Sequence, residues 1–259
     1  MKISFLGRDD YNSGYHHASN DIWAEIDRSA NRLPYANESY VRFISESLAK
    51  YVVTLNPTIL QIGSGLGDNA FLLSEKNRNI SILGIDFSEY GVGIAKIRQD
   101  CQERFNGHFQ VEDFLQFQSI EKYDVIVDNY LLHNIVNDDD RKLYYNRVLK
   151  GLKAGGIFIA ETMVFEKHVE VEDPYWLDSN FVLWKRDNSS SSLLRPIRKV
   201  MKSFDLEQEL DNANIGIEYF CYCPHLKYQM GSRFELSNKE SDLEYSMMRL
   251  VCRKDKGEN

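Results

Sequence analysis

The run Thr58-Ile59-Leu60-Gln61-Ile62-Gly63-Ser64-Gly65-Leu66-Gly67 constrains this chain more than any other. A β-branched, apolar segment stops at three glycines on alternate positions, and residues 70–76 behind them read as a helix. Glycine is needed where the backbone takes positive φ or where a ligand must approach without a Cβ in the way. The N–H groups that open the following helix have no intrahelical partners and favour a polar or anionic ligand. Strand, tight turn and helix N-terminus in this order suit a nucleotide-like cofactor. Alone, Gly-x-Gly-x-Gly serves equally well as a structural turn, so the surrounding chain decides.

Upstream, residues 1–19 show no period but hold Tyr11, Tyr15, His16 and His17, and residues 20–30 suit a short helix carrying Trp23. A clearer helix starts at Asn37, a good N-cap, with Val41, Ile44 and Leu48 at helical spacing. Downstream the rhythm alternates. Strands are expected over 80–86, 109–111, 123–129 and 157–162, with helices over 88–104 and 138–150 between them. Such alternation predicts an α/β, doubly wound, mostly parallel sheet covered on both faces, with ligands at the carboxyl ends of its strands. Residues 163–195, rich in aromatics and ending in a polar Ser run, interrupt the rhythm and read as an inserted cap. Pro196 is expected to open a helix to about Asn212, and two closing strands follow over 217–223 and 246–253.

Successive strand ends carry polar groups. The second ends in Asp86, placed to accept both hydroxyls of a ribose. The third ends in Asp113-Phe114, a carboxylate and a ring suited to an adenine amine and its face. The fourth ends in Asp128-Asn129-Tyr130-Leu131-Leu132-His133. His133, with an ordinary pKa of about 6.5, is a candidate base near neutrality. Glu161, near the end of the fifth strand, is the second candidate catalytic group. The aromatic flanks, with Tyr11, Tyr15, Trp23 and Trp176, are expected to cover an acceptor pocket.

In this order, the glycine turn, Asp86, Val111-Glu112-Asp113-Phe114, the Asp128–His133 segment and Tyr144–Gly156 resemble the class I S-adenosylmethionine-dependent methyltransferases. The resemblance implies a seven-stranded sheet with an antiparallel last strand. Residues 1–57 would form an N-terminal helical lid, 58–162 the cofactor-binding core and 163–195 an insertion after the fifth strand. Residues 196–259 would complete the same domain. It further implies that Gly63, Gly65 and Gly67 pass under the methionine part of S-adenosylmethionine. Asp86 would hold the ribose with Phe87 beside the adenine, Asp113 and Phe114 would meet the adenine, and Asn129 would contact the methionine part largely through its backbone. The family usually has an acid where this chain has Gln61. An amide oxygen still accepts from the cofactor ammonium, but without the charge that roughly doubles such a bond.

The implied activity is methyl transfer to an oxygen or nitrogen of a small-molecule acceptor. A protein or peptide acceptor is the nearer alternative, and a non-catalytic cofactor-binding subunit the more distant one. A dehydrogenase would place its third glycine one residue later. The 259 residues carry a net charge of −8, which argues against a nucleic-acid partner. No run approaches the roughly 18 apolar residues of a membrane span, and the start lacks a leader's apolar core, so a cytoplasmic protein is expected. The four cysteines are too few and too irregular for a disulfide framework or a zinc site; adjacent His16 and His17 make a poor metal pair, so no metal is expected. The sequence gives no indication of oligomeric state.

Overall fold

The computed structural model describes residues 36–118, 122–165, 175–186, 194–229 and 244–254. Helix α1 (Glu38–Tyr51) precedes the alternating core. The core runs β1 (Thr58–Ile62), α2 (Asp68–Lys76), β2 (Ser81–Asp86), α3 (Glu89–Gln99), β3 (Gly107–Val111) and β4 (Tyr123–Asp128). A short 3-10 turn (Leu132–Asn134) then leads to α4 (Asp138–Gly151) and β5 (Leu152–Val164). Beyond lie β6 (Tyr175–Leu177), β7 (Val182–Arg186), β8 (Leu194–Lys199), α5 (Ser203–Asn212), β9 (Gly216–Gln229) and β10 (Glu244–Arg253).

Seven strands form one sheet in the order β3-β2-β1-β4-β5-β10-β9. Its neighbours are parallel except around β10, which runs antiparallel to both β5 and β9. The expected reversed last strand is therefore present, one place in from the edge. Strand alternation sends Ile59, Ile82, Val125, Val127 and Ile159 to one face, where they pack on α1, α2 and α3. Leu60, Ile62, Ile126, Phe158 and Leu250 face the other way, onto α4 and α5. Burial on both faces explains why these strands read as nearly continuous apolar runs.

Three expectations change. Tyr40, Val41 and Ile44 of α1 are fully buried in the same cluster as the sheet, so this helix belongs to the core and not to a detachable lid. The segment after β5 forms its own antiparallel sheet, β6-β7-β8, which continues past residue 195 to Lys199. Pro196 opens no helix: it lies in edge strand β8 opposite Trp184, where a missing N–H is tolerated, and α5 begins at Ser203. Residues 1–35, with Tyr11, Tyr15 and Trp23, lie outside the described residues. No helix among the described residues is long and apolar enough to cross a membrane.

The helices on the second face are tied by a buried fork. Arg141 of α4, 2% exposed, donates from Nε to Glu209 of α5 at 2.7 Å, and from Nη1 to the carbonyl of Leu132 at 2.7 Å. Tyr145 donates to the same carboxylate at 2.8 Å. Truncating one partner strands a buried charge, so Glu209→Ala should lower unfolding free energy by about 3 kcal/mol in urea titration. A loss under half of that would show that the carbonyl contacts of Arg141 suffice.

Candidate active site

The glycine turn closes the way its sequence requires. Gly63, Gly65 and Gly67 all have positive φ, at 72°, 51° and 80°. A Cβ on Gly67 would lie 2.8 Å from Phe109 and 2.9 Å from Phe71, and one on Gly63 would lie 3.1 Å from the Asn129 carbonyl oxygen. The turn is pinned from both neighbouring strands. Ser64 N–H donates to the Ile85 carbonyl at 3.0 Å, and Asn129 N–H to the Ile62 carbonyl at 2.9 Å. The Asp86 carboxylate accepts Gly65 N–H at 2.8 Å and, through its other oxygen, Ser88 N–H at 2.9 Å. Behind the turn, Arg98 of α3 reaches Asp68, in the first turn of α2, at 3.0 Å, both nearly fully buried.

Asp128 organises the neighbouring strand end. Its carboxylate is fully buried and accepts Leu131 N–H at 2.7 Å, Leu132 N–H at 2.9 Å and the Tyr144 hydroxyl. Burial raises its pKa to about 6 although these bonds pull it down. Asn129 spends both ends of its carboxamide on the scaffold: Nδ2 donates to the Gly63 carbonyl at 2.8 Å and Oδ1 accepts from Asn69. Its carbonyl is the part that faces the turn, in keeping with a backbone contact to a ligand. Tyr130 follows with φ 71°, a left-handed conformation that is unusual for a non-glycine residue and tends to mark functional sites.

The Tyr130 hydroxyl donates to Glu161 at 2.8 Å. Glu161 is 1% exposed, well inside β5, and is ion-paired through its other oxygen with Arg249 of β10. Asn37, the N-cap of α1, donates to both Tyr130 and Glu161, and its own N–H reaches Asn69 at 2.7 Å. A continuous polar chain thus runs from Arg249 through Glu161, Asn37, Asn69 and Asn129 to the glycine turn. Sequence reading singled out Glu161 but not Asn37, Asn69, Tyr130 or Arg249. Only the Asn37 cap had a local signal, and that signal spoke of helix initiation.

His133 is 3% exposed, on the other side of β5 from Glu161, with Nδ1 3.5 Å from the Thr162 hydroxyl. Burial, and then the positive charges of Arg198 and Arg141, hold its pKa well below the usual 6.5. It is the neutral imidazole that sits in the fold. Strand β8 packs on the turn that carries it.

The adenine side is less as expected. Phe87 is half-buried after β2. Asp113 accepts Leu115 N–H at 2.9 Å and Gln116 Nε2 at 3.2 Å, so it also folds its own turn. Phe114 is 5% exposed and packs edge-on against Tyr144 at 5.3 Å. Its ring belongs to the core, and only its backbone remains for a ligand. Trp176 also moves. It is 42% exposed and sits across from Trp184, while alternation turns Tyr175 and Leu177 onto the cluster of Met163, Phe165, Leu183 and Tyr130. Those two side chains, and not Trp176, pack on the cluster that Tyr130 borders.

The Gln61 side chain is 2% exposed, and its carboxamide oxygen has no donor among the described residues. A buried acceptor of this kind has room for a donor from a ligand. An ammonium-bearing ligand over the glycine turn would supply it, so this strand end fits the amino-acid part of S-adenosylmethionine.

The neutral burial of His133 has a measurable consequence. In the unfolded chain the imidazole gains a proton as pH falls through about 6.5, while the folded one does not, so stability drops as pH falls. Asp128, raised to about 6 in the fold, acts in the opposite sense between about pH 6 and 4. Wild type should therefore lose stability relative to His133→Gln between about pH 7.5 and 5.5, by up to about 1.4 kcal/mol per pH unit. Parallel stability curves for the two proteins would mean that His133 titrates normally in the fold.

Residues 55–213 match the family described as a methyltransferase domain. A malonyl-[acyl-carrier protein] O-methyltransferase of Bacillus anthracis is 30% identical over 115 residues, 44% of this chain and 42% of that protein. The protein-lysine N-methyltransferase EFM4 of Saccharomyces cerevisiae is 25% identical over 147 residues, 50% of this chain and 61% of that protein. The chain thus spans about half the length of these relatives. Among solved structures, the 1,6-didemethyltoxoflavin-N1-methyltransferase of Burkholderia thailandensis, with bound 1,6-didemethyltoxoflavin and S-adenosylhomocysteine, superposes with a TM-score of 0.59 at 15% identity, over 98% of this chain and 93% of that one. Solved S-adenosylmethionine-dependent methyltransferases of Methanosarcina mazei and Clostridium acetobutylicum share the fold at 16% and 17% identity, each with a TM-score of 0.60. The sheet order, the three positive-φ glycines and the matched domain agree: the chain belongs to the methyltransferase domain family and has the class I, Rossmann-like fold of its S-adenosylmethionine-dependent members.

Proposed function

We propose that this protein transfers the methyl group of S-adenosylmethionine to an oxygen or nitrogen of a small-molecule acceptor. The observation that carries the reading is the buried carboxamide oxygen of Gln61, without a donor among the described residues, beneath a turn of three left-handed glycines. When bound, the sulfonium supplies an activated methyl group, and the protein has to align the acceptor and exclude water. Asp86, held at the end of β2 by Gly65 N–H and Ser88 N–H, is the group to which ribose hydroxyls would donate. The Asn129 carbonyl and the Gln61 amide oxygen would hold the amino-acid end.

A small acceptor is supported by the wall beside Asn129. Tyr175, Leu177, Leu183, Met163 and Phe165 gather next to Tyr130 as an apolar cluster with one phenol. His133, neutral by burial, holds a lone pair ready for an acceptor proton, and Tyr130, held by Glu161, orients a polar group. Four free thiols are in keeping with work in the reducing cytoplasm. A protein-bound acceptor is the second reading, favoured by the carrier-protein and lysine methyltransferases among the sequence matches.

Calorimetry with S-adenosylhomocysteine tests the cofactor half. Binding is expected, NAD should not bind, and Gln61→Glu should bind S-adenosylhomocysteine as well or more tightly, because a charged acceptor strengthens the bond to an ammonium. Weaker binding by Gln61→Glu would place Gln61 against some other group. For the acceptor half, a methyl-transfer screen of small molecules against carrier proteins and peptides separates the two readings. With an acceptor in hand, His133→Ala should lower turnover by ~10²–10⁴-fold with cofactor affinity kept. Because burial depresses the imidazole pKa, the wild-type rate should stay flat through about pH 6.5. A rate limb centred there would contradict the buried, neutral histidine.

A further inference from the structure

Two thiols take no part in the site at the glycine turn. Cys221 and Cys223 stand on the same face of β9, and their sulfurs are 3.8 Å apart. Cys223 is 4% exposed, while Cys221 is half-buried, so the pair is closed behind and reachable in front. Cys223 lies opposite Met247 in the ladder, and Met247 lies opposite Met163 of β5. Cys223, Met247 and Met163 share one buried cluster, with Cys221 packed on its border. Arg249, opposite Cys221, adds positive charge on that side, partly balanced by Glu161.

We propose that Cys221 and Cys223, backed by a methionine thioether, form a binding site for a soft, thiophilic d10 cation, with Cu(I) the best match. Thiolate and thioether ligands select soft metals. With metal–sulfur bonds of about 2.3 Å, sulfurs 3.8 Å apart subtend an angle of about 110° at the ion, between tetrahedral and trigonal values. Zinc fits less well, because its structural sites take four Cys or His ligands, and no group of three or more His, Cys, Asp or Glu among the described residues is arranged to hold a metal. A disulfide fits less well too. Two residues of strand separate the Cα atoms by about 6.7 Å, the outer limit of about 6.8 Å that a disulfide spans. A bridging ion needs no such approach. Both thiols give their protons to solvent as the ion binds.

The test uses the whole chain, reduced and anaerobic, with Cu(I) delivered against a chromogenic chelator of known affinity. One equivalent should be withheld from the chelator by wild type and by the controls Cys101→Ser and Cys252→Ser. Cys221→Ala and Cys223→Ser should each weaken binding by more than the roughly 10–100-fold that losing a supporting contact costs. Should Cys223→Ser fail to fold, maleimide labelling of wild type reads the same site. Cu(I) should protect Cys221 while Cys101, exposed and remote in sequence, still labels. No retained equivalent, retention unaffected by either substitution, or unprotected labelling of Cys221 would each overturn the site. So would a pair that oxidised glutathione converts to a disulfide, two mass units lighter, in a protein that takes up no Cu(I).

Discussion

Main-chain N–H groups that leave the sheet at its carboxyl edge lose their ladder partners, and a buried amide without a partner is costly. The site is built from the answers to that problem. Asp86 takes Gly65 and Ser88, Asp113 takes Leu115, and Asp128 takes Leu131 and Leu132. Each carboxylate sits at or just beyond a strand end and folds the turn beyond it. The same groups that make the edge foldable make it a place where a polar cofactor can be held. Asp128 shows the cost: its carboxylate is buried deeply enough to raise its pKa even with three donors in place.

The strand-end acids and the glycine turn were readable in the sequence because their causes are local. An apolar run followed by glycines has few other foldings, and an acid at the end of such a run has few other duties. The cap at Asn37 was equally local. What escaped depended on long-range register. Arg249 meets Glu161 only because β10 runs backwards along β5 in one register. Tyr130, left-handed in its backbone, meets Glu161 of β5 through its hydroxyl while Asp128 accepts the N–H of the next residue.

Where local signals misled, a tertiary contact outweighed them. Proline suits the start of a helix, yet pairing with β7 drew Pro196 into an edge strand. An aromatic next to a strand-end acid suits an adenine, yet Tyr144 offered Phe114 a buried edge-on contact. A large exposed aromatic in an insertion suggests a pocket, yet strand alternation gave Tyr175 and Leu177 the inward face and left Trp176 outside. In each case the residue type was read correctly and its direction was not, since direction is set by partners far along the chain.

The amide chain from Asn37 to the glycine turn bears on how small this domain can be made. A version trimmed to begin at Thr58 would keep every strand of the sheet. It would also uncover Ile59, Val125 and Ile159, and take from Asn69 and Glu161 the partners that Asn37 provides. The first described helix is therefore structural insulation for the cofactor edge, and the smallest self-sufficient unit of this chain starts no later than its cap.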